Sequence, residues 1–433
     1  MRIGIAGAGP LGLTIGYELS KAGHEVTILE AEEDYGGLVR TARIGGQDLE
    51  YFYHHIFTND QEMVKMVEEL GLSSALLWRE PRDGIYINRK LYPFTSPLDL
   101  LRFRELSLFS RIAMGSLVLR ARFVRDWQKL EAISAKEWIT RKAGRDVYAK
   151  VWGPLLQSKF DRDAEEIAAT WIWNKFKLRG STRSKNLSKE LLGYMQGSFI
   201  TVYRKMVAAI TGAGGRVLTG AAVNQIRQRP DLTLDLRFNG GELNFDRVVL
   251  TMAPPALKAI DLPFPDTYRA RLDQIRYKAN ICLILELKHS LSPYYWLTVA
   301  EPEAPFVAVI EHTNLIPAEH YGSHIVYLSR YLDEEDELYR LPEDVVADRF
   351  LNYLQQIFPA WNRADVKKIH FFRAPYAQPV VGLGYSRMKP GYETPLKHLY
   401  LANMAQIYPE DRGQNYAIRL GKEVARLVGE KEG

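Results

Sequence analysis

Gly7-Ala8-Gly9-Pro10-Leu11-Gly12 stands between an apolar run of strand character, Ile3-Gly4-Ile5-Ala6, and a helical stretch reaching Ala22. After that helix, Glu25-Val26-Thr27-Ile28-Leu29 reads as a second strand that ends on Glu30. Strand, glycine turn, helix, strand and a terminal acid leave one economical folding, a parallel βαβ unit with the turn at the carboxyl end of its first strand. In that unit the first glycine permits the tight turn, the second lets backbone approach a diphosphate, and the third lets helix and strand pack closely. The unpaired N–H groups and the dipole of the helix start favour negative charge, so no cationic side chain is needed there. A carboxylate at Glu30 accepts hydrogen bonds from the ribose hydroxyls of an adenosine and repels a 2′-phosphate. Gly7, Gly9, Pro10, Leu11, Gly12, Glu30 and the adjoining Ala31 are therefore candidate dinucleotide contacts.

The segment EAEEDYGGLVRT, from Glu30 to Thr41, adds a second glycine pair and an arginine directly after the ribose acid. A nicotinamide site needs nothing at this point. Gly36, Gly37, Leu38 and Arg40 supply a second backbone approach and a cation beside the same diphosphate, which points to a permanently held cofactor.

On GAGPLG, Glu30 and GGLVRT the chain resembles the FAD-dependent amine oxidase, protoporphyrinogen oxidase and phytoene desaturase family, and more distantly UDP-galactopyranose mutase. The resemblance implies FAD as cofactor and an α/β fold in which a Rossmann-like FAD-binding domain interleaves with a substrate domain. It implies a backbone contact to the adenine side at Val223, in a strand like Arg216 to Val223, and a following strand like Asp246 to Pro254. It also implies that the last strand and helix, Leu399 to Ala425, close over the flavin. Family members carry Gly-Asp after that last strand, where this chain has Asn403-Met404. The ribityl contact is thereby in question, with Met404 at the family position and Asn403 or Asp411 as substitutes. Gln414 and Asn415, opening the last helix, are expected to turn N–H groups toward the flavin.

Two stretches are expected to face the flavin ring. In Tyr51 to Asp60, which also resembles a mutase pattern, His54 and His55 are candidate proton carriers, or else a core histidine and a backbone partner. In Gln406 to Gly413, Tyr408 and Arg412 are candidates, Arg412 for an acidic substrate group or for the flavin itself; a solvated loop with paired charges is the alternative. Tyr376 and Gln378, at a strand end, are weaker candidates.

Periodicity divides the remainder. Asn59 to Phe160 reads as helical, Arg216 to Ile226 as one strand, and the region after Pro254-Pro255 as an antiparallel sheet with one helix, Glu343 to Ile357. The expected domains are an FAD-binding part made of 1–58, 195–255 and 385–433, a helical insertion over 59–194, and an antiparallel-sheet substrate domain over 256–384.

The single cysteine, Cys282, excludes a disulfide framework and a cysteine metal site, and no metal-ligand spacing occurs. A net charge of +5 over 433 residues gives no support to nucleic-acid binding. The amino terminus runs straight into a strand, so a cytoplasmic location is expected, with a peripheral position at the inner face of the membrane left open. That option rests on residues 98–127. A helical wheel puts Arg104, Arg111, Arg122 and Arg125 on one face and Leu106, Phe109, Ile112, Ala113, Phe123, Val124 and Trp127 on the other, interrupted by Arg120. An ordinary domain helix packing its apolar side is the competing reading. The leading expectation is an FAD-dependent oxidoreductase that moves a hydride from a substrate C–H bond to flavin N5. The substrate is a small or lipophilic molecule, and the electron acceptor is undetermined. The alternatives are a mutase-like flavoenzyme acting on a nucleotide sugar and a lipid-cargo binder of the GDP-dissociation-inhibitor type.

Overall fold

In a computed structural model that describes residues 1–182 and 190–430, five parallel strands form the centre of the cofactor-side fold. Residues 183–189 of the expected insertion and 431–433 of the last segment lie outside the described residues. The strand order is Arg216–Leu218, Glu25–Leu29, Arg2–Ala6, Arg247–Leu250, Leu399–Leu401, with every pairing parallel. Parallel strands covered on both faces read as unbroken apolar runs, as Val248-Val249-Leu250 and Leu399-Tyr400-Leu401 do. On one face Ile3, Ile5 and Val249 pack under the helices Pro10–Lys21, Ile200–Gly212 and Gln414–Gly429. On the other, Ala6, Val248 and Leu250 meet a three-stranded antiparallel sheet, Val223–Gln228, Leu234–Phe238 and Gly241–Phe245.

The expected single strand from Arg216 to Ile226 is two strands in two sheets. The chain bends at Gly220, whose φ of +64° is open to glycine, and Arg216–Leu218 and Val223–Gln228 part there.

The second sheet has seven strands, in the order Val366–Pro379, Tyr277–Leu287, His324–Leu332, Ala308–Glu311, Trp296–Val299, Asp83–Ile87, Lys90–Pro93. Its pairings are antiparallel except where Trp296–Val299 runs parallel to Asp83–Ile87. Alternation decides its faces: Ile281, Leu283 and Leu285 pack on the helix Glu343–Ile357, while Cys282 and Ile284 turn to the cofactor side.

Asn59 to Phe160 is not helical throughout. Leu76–Arg79, Asp83–Ile87 and Lys90–Pro93 are strands, because the first pairs with Leu192–Met195 in a small separate sheet and Ile85, Tyr86 and Ile87 find a buried place on the large sheet, long-range partners that local periodicity does not report. The helices that follow, Pro97–Arg102, Leu108–Ala121, Ala135–Ala143, Gly153–Phe160 and Ala169–Thr182, pack around Trp138, Phe160, Trp171, Trp173 and Phe176.

The 98–127 stretch is broken as well. Ser96 and Asp99 form a capping box on the first helix, Ser107 caps the second, and Phe103 and Leu106 are buried at the join. The expected apolar face therefore splits. Leu106, Val124 and Trp127 pack inward, whereas Phe109, Ile112 and Phe123 are 86%, 57% and 80% exposed. Arg111 leaves the expected charged face to donate to the carbonyls of Leu106 and Leu101 across the join.

Candidate active site

Every parallel strand ends on the same edge of its sheet, the edge where open α/β sheets hold ligands. Gly7 leaves the first strand with φ +109°, and its turn is latched by the Thr251 hydroxyl, which donates to the carbonyls of Ala6 (2.9 Å) and Gly7 (3.1 Å). A Cβ on Gly7 would lie 2.3 Å from that hydroxyl oxygen, and one on Gly12 would lie 2.0 Å from the Gly7 carbonyl oxygen. Gly9 differs: a Cβ there would meet only the Gly37 Cα, at 3.8 Å. The space beside Gly9 is open and edged by a second glycine. Gly9 also caps the helix Pro10–Lys21 with no side-chain hydrogen bond and no acid in the first turn, so the amino end of that helix, including Leu11, is left to an external anion.

The second turn is built onto the first. Gly36 (φ +118°) donates its N–H to the Ala8 carbonyl at 2.8 Å, and Gly37 (φ +55°) faces Gly9. Leu38 follows in a single 3-10 turn, half-buried against the core. Arg40 lies over the Tyr51 ring at 5.6 Å, donates from Nε to the Gly37 carbonyl (3.3 Å) and pairs with Glu32 at 2.8 Å. Glu30 is fixed at its strand end, accepting from the N–H groups of Ala8 (2.7 Å) and Glu32 (3.1 Å). Ala31 is exposed beside it. Ala221 donates to the Glu30 carbonyl, which brings the start of the strand at Val223 to the same edge.

At the far end of the edge, Asn403 caps the turn Met404–Gln406 by accepting from the Ala405 N–H, while its buried Nδ2 has no partner. Met404 is half-buried in that turn. The side chains that open the last helix have structural work: Gln414 Oε1 accepts from the Tyr203 hydroxyl at 2.8 Å, and Asn415 Oδ1 accepts from the N–H groups of Glu62 and Met63, capping the helix Gln61–Glu69. That leaves backbone N–H groups, with Gly413 as cap and no acid in the first turn, as what this helix end offers an anion.

Of the proton-carrying candidates, the structure brings His54 and Arg412 together. His54 Nδ1 donates to the Phe52 carbonyl at 2.6 Å, which leaves Nε2 as the acceptor. Burial pushes its pKa down to about 4, and Arg412 adds to that against the Phe52 bond, so the ring is neutral at pH 7. Arg412 donates to the Tyr331 hydroxyl at 2.7 Å, and its buried Nε has no partner. Tyr53 lies beside Tyr331 and is pushed well up by burial and by that neighbour. Its ring meets Trp296 and Tyr327 edge-on, and Tyr51 stacks on Phe372 at 4.1 Å.

His55 and Tyr408 are not part of this group. His55 turns to the Tyr295 hydroxyl (3.1 Å) among the rings of Phe57 and Trp296. Tyr408 enters the helical bundle, 5.5 Å from Trp127 and 5.3 Å from Tyr385, with its hydroxyl toward Thr170 and Glu131. Tyr376 sits 5.9 Å from Tyr277. Asp411 is engaged at both oxygens, by Lys159 (3.2 Å) and Lys175 (2.5 Å) at one and by Gln378 (3.0 Å) at the other. Although burial opposes its charge, Lys159 and Lys175 hold that carboxyl well below the usual range. Thr251, Lys159, Lys175 and Tyr331 escaped sequence reasoning, since none stands in a spaced motif.

The donor set suits a flavin dinucleotide. The cradle beside Gly9 is one a Cβ would fill, and the orphaned Asn403 Nδ2 awaits an acceptor. A model of the flavin containing amine oxidoreductase family matches residues 12–429. The chain belongs to this family. As a flavin-dependent oxidoreductase it is 22% identical over 458 residues to a zeta-carotene desaturase of Arabidopsis thaliana, covering 93% of this chain and 80% of the relative. It is 24% identical over 282 residues to a putative flavin-containing monoamine oxidase of Mycobacterium tuberculosis, covering 61% and 60%. In fold, it superimposes on a putative protoporphyrinogen oxidase from an Exiguobacterium species with a TM-score of 0.77, at 18% identity over 99% of this chain and 98% of that one. For a putrescine oxidase variant the TM-score is 0.71, at 17% identity over 99% of each chain. The α/β class with an interleaved substrate part, expected from the sequence, is the fold observed.

Proposed function

We propose that this oxidoreductase holds FAD across the ends of the parallel strands and oxidises a lipophilic substrate at a C–H bond. The observation that carries the reading is the pair of glycine turns, Gly9 against Gly37, set beside the ribose acid Glu30. One turn suffices for a nicotinamide dinucleotide, and the second, with Arg40, favours a cofactor that stays. FAD, when bound, supplies an acceptor for the substrate hydride at N5 and passes the electrons to an external acceptor. Gly9, Leu11, Gly37 and Arg40 would hold the diphosphate, Glu30 the ribose, and the segment at Val223 the adenine side. The start of the last helix would favour negative charge on the ring.

In this reading the aromatic wall of Tyr51, Tyr53, Trp296 and Phe372 excludes water, and neutral His54 offers Nε2 as a proton acceptor. The segments 1–58, 195–255 and 385–433 serve the cofactor, and the helical block and large sheet serve the substrate.

Two observations support a lipophilic substrate taken from a membrane surface. Leu98, Leu101, Leu108, Phe109, Ile112, Leu119 and Phe123 are all exposed on neighbouring turns. Residues 89–125 carry eight basic side chains against two acidic ones. No helix among the described residues is long and apolar enough to cross a membrane, so any such contact is peripheral. Relatives named as carotene desaturases favour the same substrate character. The test is anaerobic mixing of the flavoprotein with polyenes, porphyrinogens, amines and nucleotide sugars while following the flavin absorbance. Bleaching by a lipophilic donor is expected. Turnover of UDP-galactopyranose after dithionite reduction, with no donor bleaching the flavin, would replace this reading with a mutase.

A further inference from the structure

The one buried carboxylate of Asp411 is shared by more cations than it can neutralise. Lys159, from the helix Gly153–Phe160, and Lys175, from Ala169–Thr182, both donate to its Oδ2, while Arg412 is its chain neighbour. The nearby acids do not restore the balance. Glu410 is occupied by Arg419 at 2.9 Å. Asp60, which Lys175 also feels, accepts the Phe57 N–H and is pushed up by burial to about 6.

All three cations keep donors that Asp411 does not use. Each ammonium has three N–H groups and gives one to Asp411; the rest of each head lies over the Trp171 ring, at 5.1 Å for Lys159 and 5.2 Å for Lys175. Arg412 Nε has no partner at all. The lysine side chains keep 20% and 35% of their surface at the seam between helical bundle and large sheet, so the charges are fenced but reachable. On the sheet side the same seam is bounded by Tyr331 and Gln378, whose Oε1 is buried without a donor.

We propose that Lys159, Lys175 and Arg412 form a subsite for an acidic group of the substrate, a phosphate or a carboxylate, with Asp411 holding the cations in register. A tetrahedral or forked anion satisfies donors from three segments at once, which one fixed carboxylate does not. Burial first, and then Arg412 for both and Lys159 for Lys175, draw the lysine pKa values down against Asp411, that of Lys175 to about 8. Joined to the exposed apolar patch, the subsite describes an amphiphile, apolar over its reacting part and acidic at one end. The inference rests on the flavin reading for its claim that this anion belongs to a substrate.

The test uses the oxidised yellow holoprotein, in which the diphosphate cradle is filled. Inorganic phosphate, inorganic pyrophosphate and malonate are titrated in separate arms while the flavin absorbance and Tm are followed. A saturable change at millimolar anion is expected, and the arm that saturates first separates a phosphate from a carboxylate subsite. Lys175→Met and, as a second variant, Lys159→Met should weaken it at least tenfold, with flavin content retained and Tm unchanged or higher because an excess buried charge is gone. Lys205→Met, on an exposed helix surface, should bind as the parent does. No saturable response in yellow protein, or equal affinity in the lysine variants, overturns the subsite while leaving the flavin reading intact. A lower Tm in the variants with unchanged anion affinity also overturns it, making the cluster a structural ion-pair group. Protein that stays colourless after incubation with FAD fails the flavin reading itself, and the subsite with it.

Discussion

Three glycines within six residues have three separable jobs, and a single methyl group distinguishes them. At Gly9 the backbone is extended (φ −74°, ψ 178°), a conformation alanine adopts freely, and the added Cβ would have one neighbour, Gly37 Cα, at 3.8 Å. Gly9→Ala should therefore change apoprotein stability by no more than about 1 kcal/mol, the small cap loss being offset by reduced freedom in the unfolded chain. The methyl fills the space through which a diphosphate approaches. If it costs two charge-assisted hydrogen bonds of about 1.5–3 kcal/mol each, FAD affinity falls about 10²–10⁴-fold. Gly7→Ala behaves oppositely: its Cβ lies 2.3 Å from the Thr251 hydroxyl oxygen at φ +109°, which implies a stability loss of at least about 2 kcal/mol before any cofactor is considered. Gly12→Ala, 2.0 Å from a backbone oxygen, should be no better tolerated. The assay is fluorescence titration of each apoprotein with FAD beside its urea unfolding curve. A folded Gly9→Ala protein that binds FAD as tightly as the parent would refute the placement of the diphosphate at this turn.

The other predictions concern separate parts of the molecule. Asn415→Ala removes the acceptor of two N–H groups at the start of Gln61–Glu69, so urea unfolding should show a loss of about 1–2 kcal/mol with flavin content unchanged; loss of flavin without loss of stability would make Asn415 a cofactor contact instead. His312, buried against Tyr321, is lowered from 6.5 to about 3 by burial. Below pH 6.5 the unfolded chain takes a proton that the folded chain refuses, so this residue's contribution falls as pH drops from 6.5 toward 3, by a few kcal/mol in all. Subtracting the pH–stability curve of His312→Gln from that of the parent should isolate the loss, and identical slopes would deny it. For the apolar patch, the parent protein should float with anionic liposomes at low salt, and Phe109→Asp with Phe123→Asp should stay at the bottom; a parent that fails to float removes the membrane contact.

What could be read from the sequence was local. The βαβ start, the GGLVRT turn and the helices Glu343–Ile357 and Gln414–Gly429 rest on glycine position and short-range periodicity, which survive folding unchanged. What could not be read depended on distant partners. The strand Asp83–Ile87 owes its state to Trp296–Val299, more than two hundred positions along the chain. The division of Arg216 to Ile226 turns on which of two sheets each half joins. One miss was avoidable, because Ser96 with Asp99 and the later Ser107 already marked two helix starts where one amphipathic stretch was read. In the site, glycines and Glu30 announced themselves by spacing. For Gln414 and Asn415 the sequence points to N–H groups at a helix start, but not to their carboxamides, which serve Tyr203 and a neighbouring helix. The lysines around Asp411 come from positions 252 and 236 residues away and leave no pattern along the chain.

Native mass spectrometry of the purified protein addresses the diphosphate-to-flavin assignment most directly. One FAD per chain, released on unfolding and absent from Gly9→Ala, is the predicted result. A nicotinamide dinucleotide in its place, or a parent chain that remains bare after incubation with FAD, would contradict it.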